Sequence, residues 1–184
     1  EARWLLGQIY LEQAAVESAE KEFRRAVEFG LSEEAAEIPL TRALLHQRKY
    51  KQVIDSTFNP ERLPEKDRAE LLALHANAYL GLGDEEKAAN LVDKSLALDE
   101  TSPDALTVKA IVLKMRRQSE EARRQLEMIL QKTPDFAPAW SLLGLIDTSA
   151  GDLESAENAF SQAMQDPLYR DGSQMSRALL RIQL

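Results

Sequence analysis

The chain has 184 residues, 44% of them hydrophobic, and its 31 acidic against 23 basic residues give a net charge of −8. That sign of charge repels the phosphates of nucleic acid and the anionic face of a membrane, so neither is an expected partner. No cysteine is present, which removes disulfides, thiolate metal sites and a cysteine nucleophile while fitting a cytoplasm and a periplasm equally.

Only 7 Gly and 7 Pro punctuate a sequence dominated by Ala, Leu, Glu, Arg, Lys and Gln, residues that lose little side-chain freedom in a helix. The expected class is all-α. In chain order, the pattern predicts a helix over 2–13 paired with one over 16–29. A second pair follows at 33–46 and 49–57, with Pro39 inside its first helix, where a missing N–H is expected to bend the first turns. The third pair covers 66–81 and 84–98, with Gly83-Asp84 between them. The fourth covers 103–116 and 118–131 and opens on Ser102-Pro103. The fifth covers 137–149 and 152–165, with Pro138 near its start and Gly151-Asp152 at its turn. In both turns Gly can end one helix and Asp cap the next. A single helix over 172–183 closes the chain.

Small residues fix the register of these pairs. Gly7, Thr41, Ala76, Ala110, Gly144 and Ala178 are separated by 34, 35, 34, 34 and 34 residues. Ala19, Val53, Ala88, Ala122 and Ala156 repeat at the same intervals, and a bulky series runs through Phe23, Val92, Leu126 and Phe160. Small side chains let paired helices approach closely, and the bulky ones fill the hollow between pairs. The second repeat departs most, with Thr57 and Pro60 where bulky and small residues belong and an extra residue in the segment from Phe58 to Pro64. Its second helix is expected to be short.

A 34-residue helix-turn-helix period resembles the tetratricopeptide repeat (TPR). The resemblance rests on Trp4, Leu6-Gly7, Tyr10, Ala19 and Phe23 in the first repeat and on Trp140, Leu143-Gly144, Ala156 and Phe160 in the fifth. It implies one right-handed superhelix, an α-solenoid of about five repeats (1–33, 34–68, 69–102, 103–136 and 137–170) plus a last helix at 171–184. It also implies a protein-binding scaffold whose concave face is lined by the first helix of each repeat. Counting one turn from the small residues puts Trp4, Gln8, Leu11, Ile38, Arg42, Leu45, His46, Asn77, Leu80, Thr107, Ile111, Lys114 and Met115 on that face. Leu45, Leu80 and Ile111 are read as apolar groove residues without a partner in the chain. The mixture suits an extended or helical peptide. Chaperone-binding members of the family clamp a C-terminal carboxylate with Lys and Asn one turn apart; here Ala73 precedes Asn77, so that clamp is incomplete.

No Gly-rich phosphate loop, HExxH, Gly-x-Ser-x-Gly or EF-hand pattern occurs, and the sequence predicts no enzyme, cofactor or metal. His46 and His75 stand on neighbouring first helices without an obvious third ligand. Glu33-Glu34 and Glu85-Glu86 read as helix-start carboxylates. Arg116-Arg117 and Arg123-Arg124, diluted by Glu120, Glu121 and Glu127, read as a solvated face. No run approaches the roughly 18 apolar residues of a membrane span.

Within residues 34–100, Arg42-Ala43-Leu44-Leu45, Lys49-Tyr50, Val53-Ile54, Ala69 to Leu74 and Ala78-Tyr79-Leu80 resemble the TPR proteins of the bacterial exosortase/PEP-CTERM surface-sorting system. That subgroup implies exopolysaccharide or cell-surface export and a periplasmic or envelope location; a cytoplasmic one stays open. Two other readings stay open, a regulatory arm of a larger enzyme and a self-associating array. Leu179, Leu180, Ile182 and Leu184 are read as an exposed apolar face on the last helix, with Ala178 at its seam. A chain starting at Glu1, already inside a helical pattern, reads as a piece of a longer array that pairs through this end.

Overall fold

The computed structural model describes residues 1–183, with side chains through Leu180. These residues form eleven α-helices: α1 (Ala2–Glu12), α2 (Val16–Glu28), α3 (Glu33–His46), α4 (Tyr50–Ile54), α5 (Glu65–Gly81), α6 (Glu85–Leu98), α7 (Pro103–Met115), α8 (Ser119–Lys132), α9 (Ala137–Ala150), α10 (Leu153–Ala163) and α11 (Pro167–Gln183). A 3-10 turn at Pro60–Arg62 lies between α4 and α5. No described residue is in a strand. The helices gather into two compact units, Glu1–Val108 and Lys109–Leu184, divided within α7.

In the first unit α1 packs on α2, α2 on α3, α3 on α5 and α5 on α6. The reason lies in the small series. A Cβ added to Gly7 would stand 2.6 Å from the ring of Phe23, so the helix backbone rests directly on the aromatic face. In the second unit Gly144 and Phe160 repeat that contact at the same 2.6 Å. Ala19, Ala88, Ala122 and Ala156 are fully buried. Thr41, the least orthodox member of the series, is buried too.

The turns follow their residues. Asp84 accepts from the Lys87 backbone N–H and Asp152 from that of Ser155, both at 3.1 Å. Gly83 and Gly151 take left-handed φ of 81° and 80°. The same turn position is occupied by Ala14, Arg48 and Arg117, at φ of 58°, 57° and 62°. The turn geometry is therefore imposed by packing even where the residue opposes it.

The second repeat keeps only five residues of its second helix, α4. Thr57 lies outside any helix and Pro60 opens the 3-10 turn instead of extending α4, and from Asp55 to Pro64 only Leu63 is buried. Few packed contacts mean a low opening free energy. Hydrogen exchange is expected to find residues 50–64 opening before α3 and α5; equal protection across all three would contradict this.

The last helix departs from expectation. Asp166 accepts from the Leu168 N–H at 2.8 Å and Pro167 opens α11, five residues ahead of the predicted start. Of the residues expected at the seam with the preceding repeat, Gln174, Arg177 and Ala178, the structure places Arg177 there and leaves the other two outside. Ser173, Arg177 and Leu180, spaced one turn apart, now face the preceding repeat: Leu180 is 2% exposed on Ala156 and Phe160, and Arg177 pairs with Glu157 at 3.0 Å. Ala178 and Gln174 are exposed. Leu180 is thus a core residue rather than part of an outer apolar face, and the exposed strip is Met175 and Leu179. The side chains of Arg181 and Ile182, and Leu184 altogether, lie outside the described residues.

Candidate functional site

Pro39 leaves the carbonyl of Ala35 without its helical donor, because proline has no N–H. The indole Nε1 of Trp4 donates to that oxygen at 3.2 Å. A residue expected on the groove face is therefore also the tie between α1 and α3, and α3 runs unbroken from Glu33 to His46.

Next along the first-helix face, Arg42 on α3 donates from Nε and Nη2 to Glu70 Oε1 at 3.2 and 2.9 Å, and from Nη2 to Asp104 Oδ2 at 3.1 Å. Three first helices, α3, α5 and α7, are joined by one guanidinium. Burial works against the charge of Arg42, but Asp104 and Glu70 outweigh it and hold the guanidinium more firmly protonated than usual. Glu70 is shifted upward as well, which for a carboxyl disfavours the charged form: burial, helped by the charge of Asp104, pushes it above the usual range despite Arg42. One cation serving two carboxylates leaves the cluster with a surplus of negative charge. Glu70 and Asp104 were missed in the sequence, although they stand 34 residues apart, each six before a small residue of the series (Ala76 and Ala110).

The other expected site residues divide. In the first unit Gln8, Ile38 and His46 are half-buried and Asn77 is exposed. Leu45 and Leu80 are half-buried but not unpartnered: Leu45 packs against Leu44, Val53 and Ala78, and Leu80 against Ala76, Ala88, Val92 and Val108. Leu11 and Thr107, 8% and 6% exposed, leave the face; the Thr107 hydroxyl donates to the Pro103 carbonyl at 2.8 Å. In the second unit Ile111 and Lys114 are half-buried and Met115 is exposed.

His75 is half-buried on α5. Its Nε2 is buried without a hydrogen-bond partner, and burial holds its pKa below the ordinary value, which favours the neutral ring. Among the described residues no three His, Asp or Glu side chains stand where they could share a metal ion. In the second unit Arg123 leaves the solvated face read from sequence and pairs with buried Asp147.

A separate cavity of about 700 Å³ opens in the first unit among α2, α3, α4 and the segment 55–62. Ala36, Leu40, Leu44 and Val53 form its apolar side, and Glu37, 9% exposed, stands in its wall with Oε1 accepting from the Ser56 hydroxyl at 2.9 Å.

Two family models described as tetratricopeptide repeat match residues 79–146 and 1–29, together more than half of the chain. Among solved structures, a thermophilic TPR protein of Thermus thermophilus is 16% identical, with a TM-score of 0.72 over 98% of both chains. A chain of the APC/C hetero-tetramer Cut9–Hcn1 is 16% identical with a TM-score of 0.70 over 98% of this chain, which spans 36% of that one. The human IFIT1 dimer with m7Gppp-AAAA is 15% identical with a TM-score of 0.65, over 91% of this chain and 43% of that chain. At these identities the likeness is one of fold.

Proposed function

Because the chain belongs to the tetratricopeptide-repeat family, we propose that it is a protein-interaction scaffold holding a segment of a partner protein along the first-helix face of its first unit. The observation that carries this reading is the Arg42–Glu70–Asp104 cluster, which sets surplus negative charge on the first-helix face, with exposed Asn77 on the same face of α5 about two turns beyond Glu70. A peptide laid there meets a side-chain amide for its backbone and two carboxylates for a lysine or arginine, with the exposed edges of Ile38 and Leu45 for an apolar residue. Trp4 fixes the spacing of α1 and α3 rather than touching the ligand.

Peptides selected from a display library on the intact chain test this. Asn77→Lys, at an exposed position, is expected to weaken first-face binders about tenfold or more by placing a cation opposite the ligand's own, with the melting temperature unchanged. Unchanged affinity for every selected peptide would overturn the assignment.

We assign the chain no reaction of its own. A role in bacterial exopolysaccharide or cell-surface export is the narrower reading, supported by the phrases within residues 34–100. Among the described residues, the exposed apolar side chains of α11 that could support pairing of copies are Met175 and Leu179.

A further inference from the structure

The cavity beside α4 exists because the second repeat lacks most of its second helix. α2, α6, α8 and α10 run 13, 14, 14 and 11 residues; α4 runs 5. In the other repeats the bulky residue of the second helix, Phe23, Val92, Leu126 or Phe160, is buried; its counterpart Thr57 is exposed outside any helix. Over a floor of buried Ala36, Leu44 and Val53, the half-buried Val27 and Leu40 therefore border open space of ligand-binding size.

The charges around that space are unbalanced. Arg62 is engaged by Glu33 at 2.9 Å, by Glu34 and by the Phe58 ring, and Arg24 by Glu20 at 2.9 Å and Gln52 at 3.2 Å. Both arginines that line the cavity are thus occupied. Glu28, Glu37 and Asp55 also line it, and among the described residues none of the three closes an ion pair. Glu37 is the buried one. Its carboxyl stays above the usual range through burial, with Glu33 pushing the same way and Ser56 and the more distant charge of Arg24 only partly offsetting them. A buried carboxylate without a counter-ion is costly, and a cation brought beside it removes that cost.

We propose that this cavity is a second binding site, which takes a helical segment of a partner protein that sets an apolar side chain on Val27 and Leu40 and brings a lysine or arginine to Glu37. The occupant is helical because it replaces the missing turns of the second helix, and basic because the open charges are all acidic. The site lies among α2, α3 and α4 and does not depend on the first-helix reading.

The test selects helical peptides about as long as α6, 14 residues, from a display library on the full chain. Selection is expected to return peptides with lysine or arginine one turn from a leucine, isoleucine or phenylalanine. Glu37→Gln keeps the side-chain shape and is expected to weaken these peptides about tenfold or more, whereas Asn77→Lys leaves them unaffected; melting temperatures of both variants check the fold. Ser56→Phe, which fills the cavity mouth, is expected to abolish binding. The proposal is overturned if no selected peptide responds to Glu37→Gln, if replacing the basic residue by glutamate leaves affinity unchanged, or if butylamine alone competes as well as the peptide, which would make this a small-cation site.

Discussion

Phe160→Ala is expected to lower the unfolding free energy by about 3–5 kcal/mol, the range for deleting a large buried aromatic. Phe160 is 1% exposed and is shared by three helices: its ring lies under the backbone of α9 at Gly144, while Ala156 of its own α10 and Leu180 of α11 close the same cluster. Its removal leaves a cavity that none of these backbones can fill without moving. The converse change tests the same contact from the other side. A Cβ at Gly144 would sit 2.6–2.8 Å from three ring atoms, so Gly144→Val is expected to cost about 1–3 kcal/mol by overpacking. Combined with Phe160→Leu, the two losses should be less than additive, because the smaller side chain makes room for the new one. Urea unfolding of the three variants decides the matter; a loss below about 1 kcal/mol for Phe160→Ala would mean that the ring does not hold the seam.

That seam was legible in the sequence because it is local and periodic. Gly7 with Phe23 and Gly144 with Phe160 are each separated by 16 residues and repeat with the array, so spacing alone reports a contact between paired helices. The shortness of α4 was legible for the same reason, since Thr57 and Pro60 break the pattern at known places. What spacing does not report is which neighbour a side chain meets on the next repeat. Counting one turn from the small residues gives a direction for Leu45 and Leu80, but their half-burial depends on how α4 and α6 pack against α3 and α5. The tie that Trp4 makes was not legible, because its partner, the orphan carbonyl of Ala35, is created by Pro39 on another helix. The last helix was displaced because Asp166-Pro167 opens it early, a local signal that outweighed the period. Glu70 and Asp104 were hidden by their own type, because acidic residues near helix starts are ordinary and their meaning comes only from Arg42.

Removing Arg123 should be nearly as damaging as removing Phe160, for an electrostatic reason. The Asp147 side chain is 2% exposed and its ion-pair partner Arg123 is 22% exposed. Burial is the strongest influence on the Asp147 carboxyl and raises its pKa, with the charges of Asp152 and Glu127 acting the same way; Arg123 is the one influence that lowers it. Arg123→Met strands a buried carboxylate and is expected to cost about 3–5 kcal/mol at neutral pH. Replacing both partners, as Arg123→Met with Asp147→Leu, removes the charge along with its partner and is expected to recover most of that loss. The pH dependence separates this from a packing defect. A carboxyl whose folded pKa lies above its unfolded value costs stability as pH rises between the two, and the cost is complete above the folded pKa. Without Arg123 the folded pKa of Asp147 climbs further, so the single variant should lose stability more steeply than the wild type as pH rises from the ordinary aspartate range. Its deficit should shrink on acidification, when Asp147 takes up a proton in both forms. The double variant should show neither the deficit nor the steeper slope. Thermal unfolding of the three proteins at neutral and mildly acidic pH measures this directly, and a deficit for Arg123→Met that stays constant across that range would show that its cost is packing rather than charge.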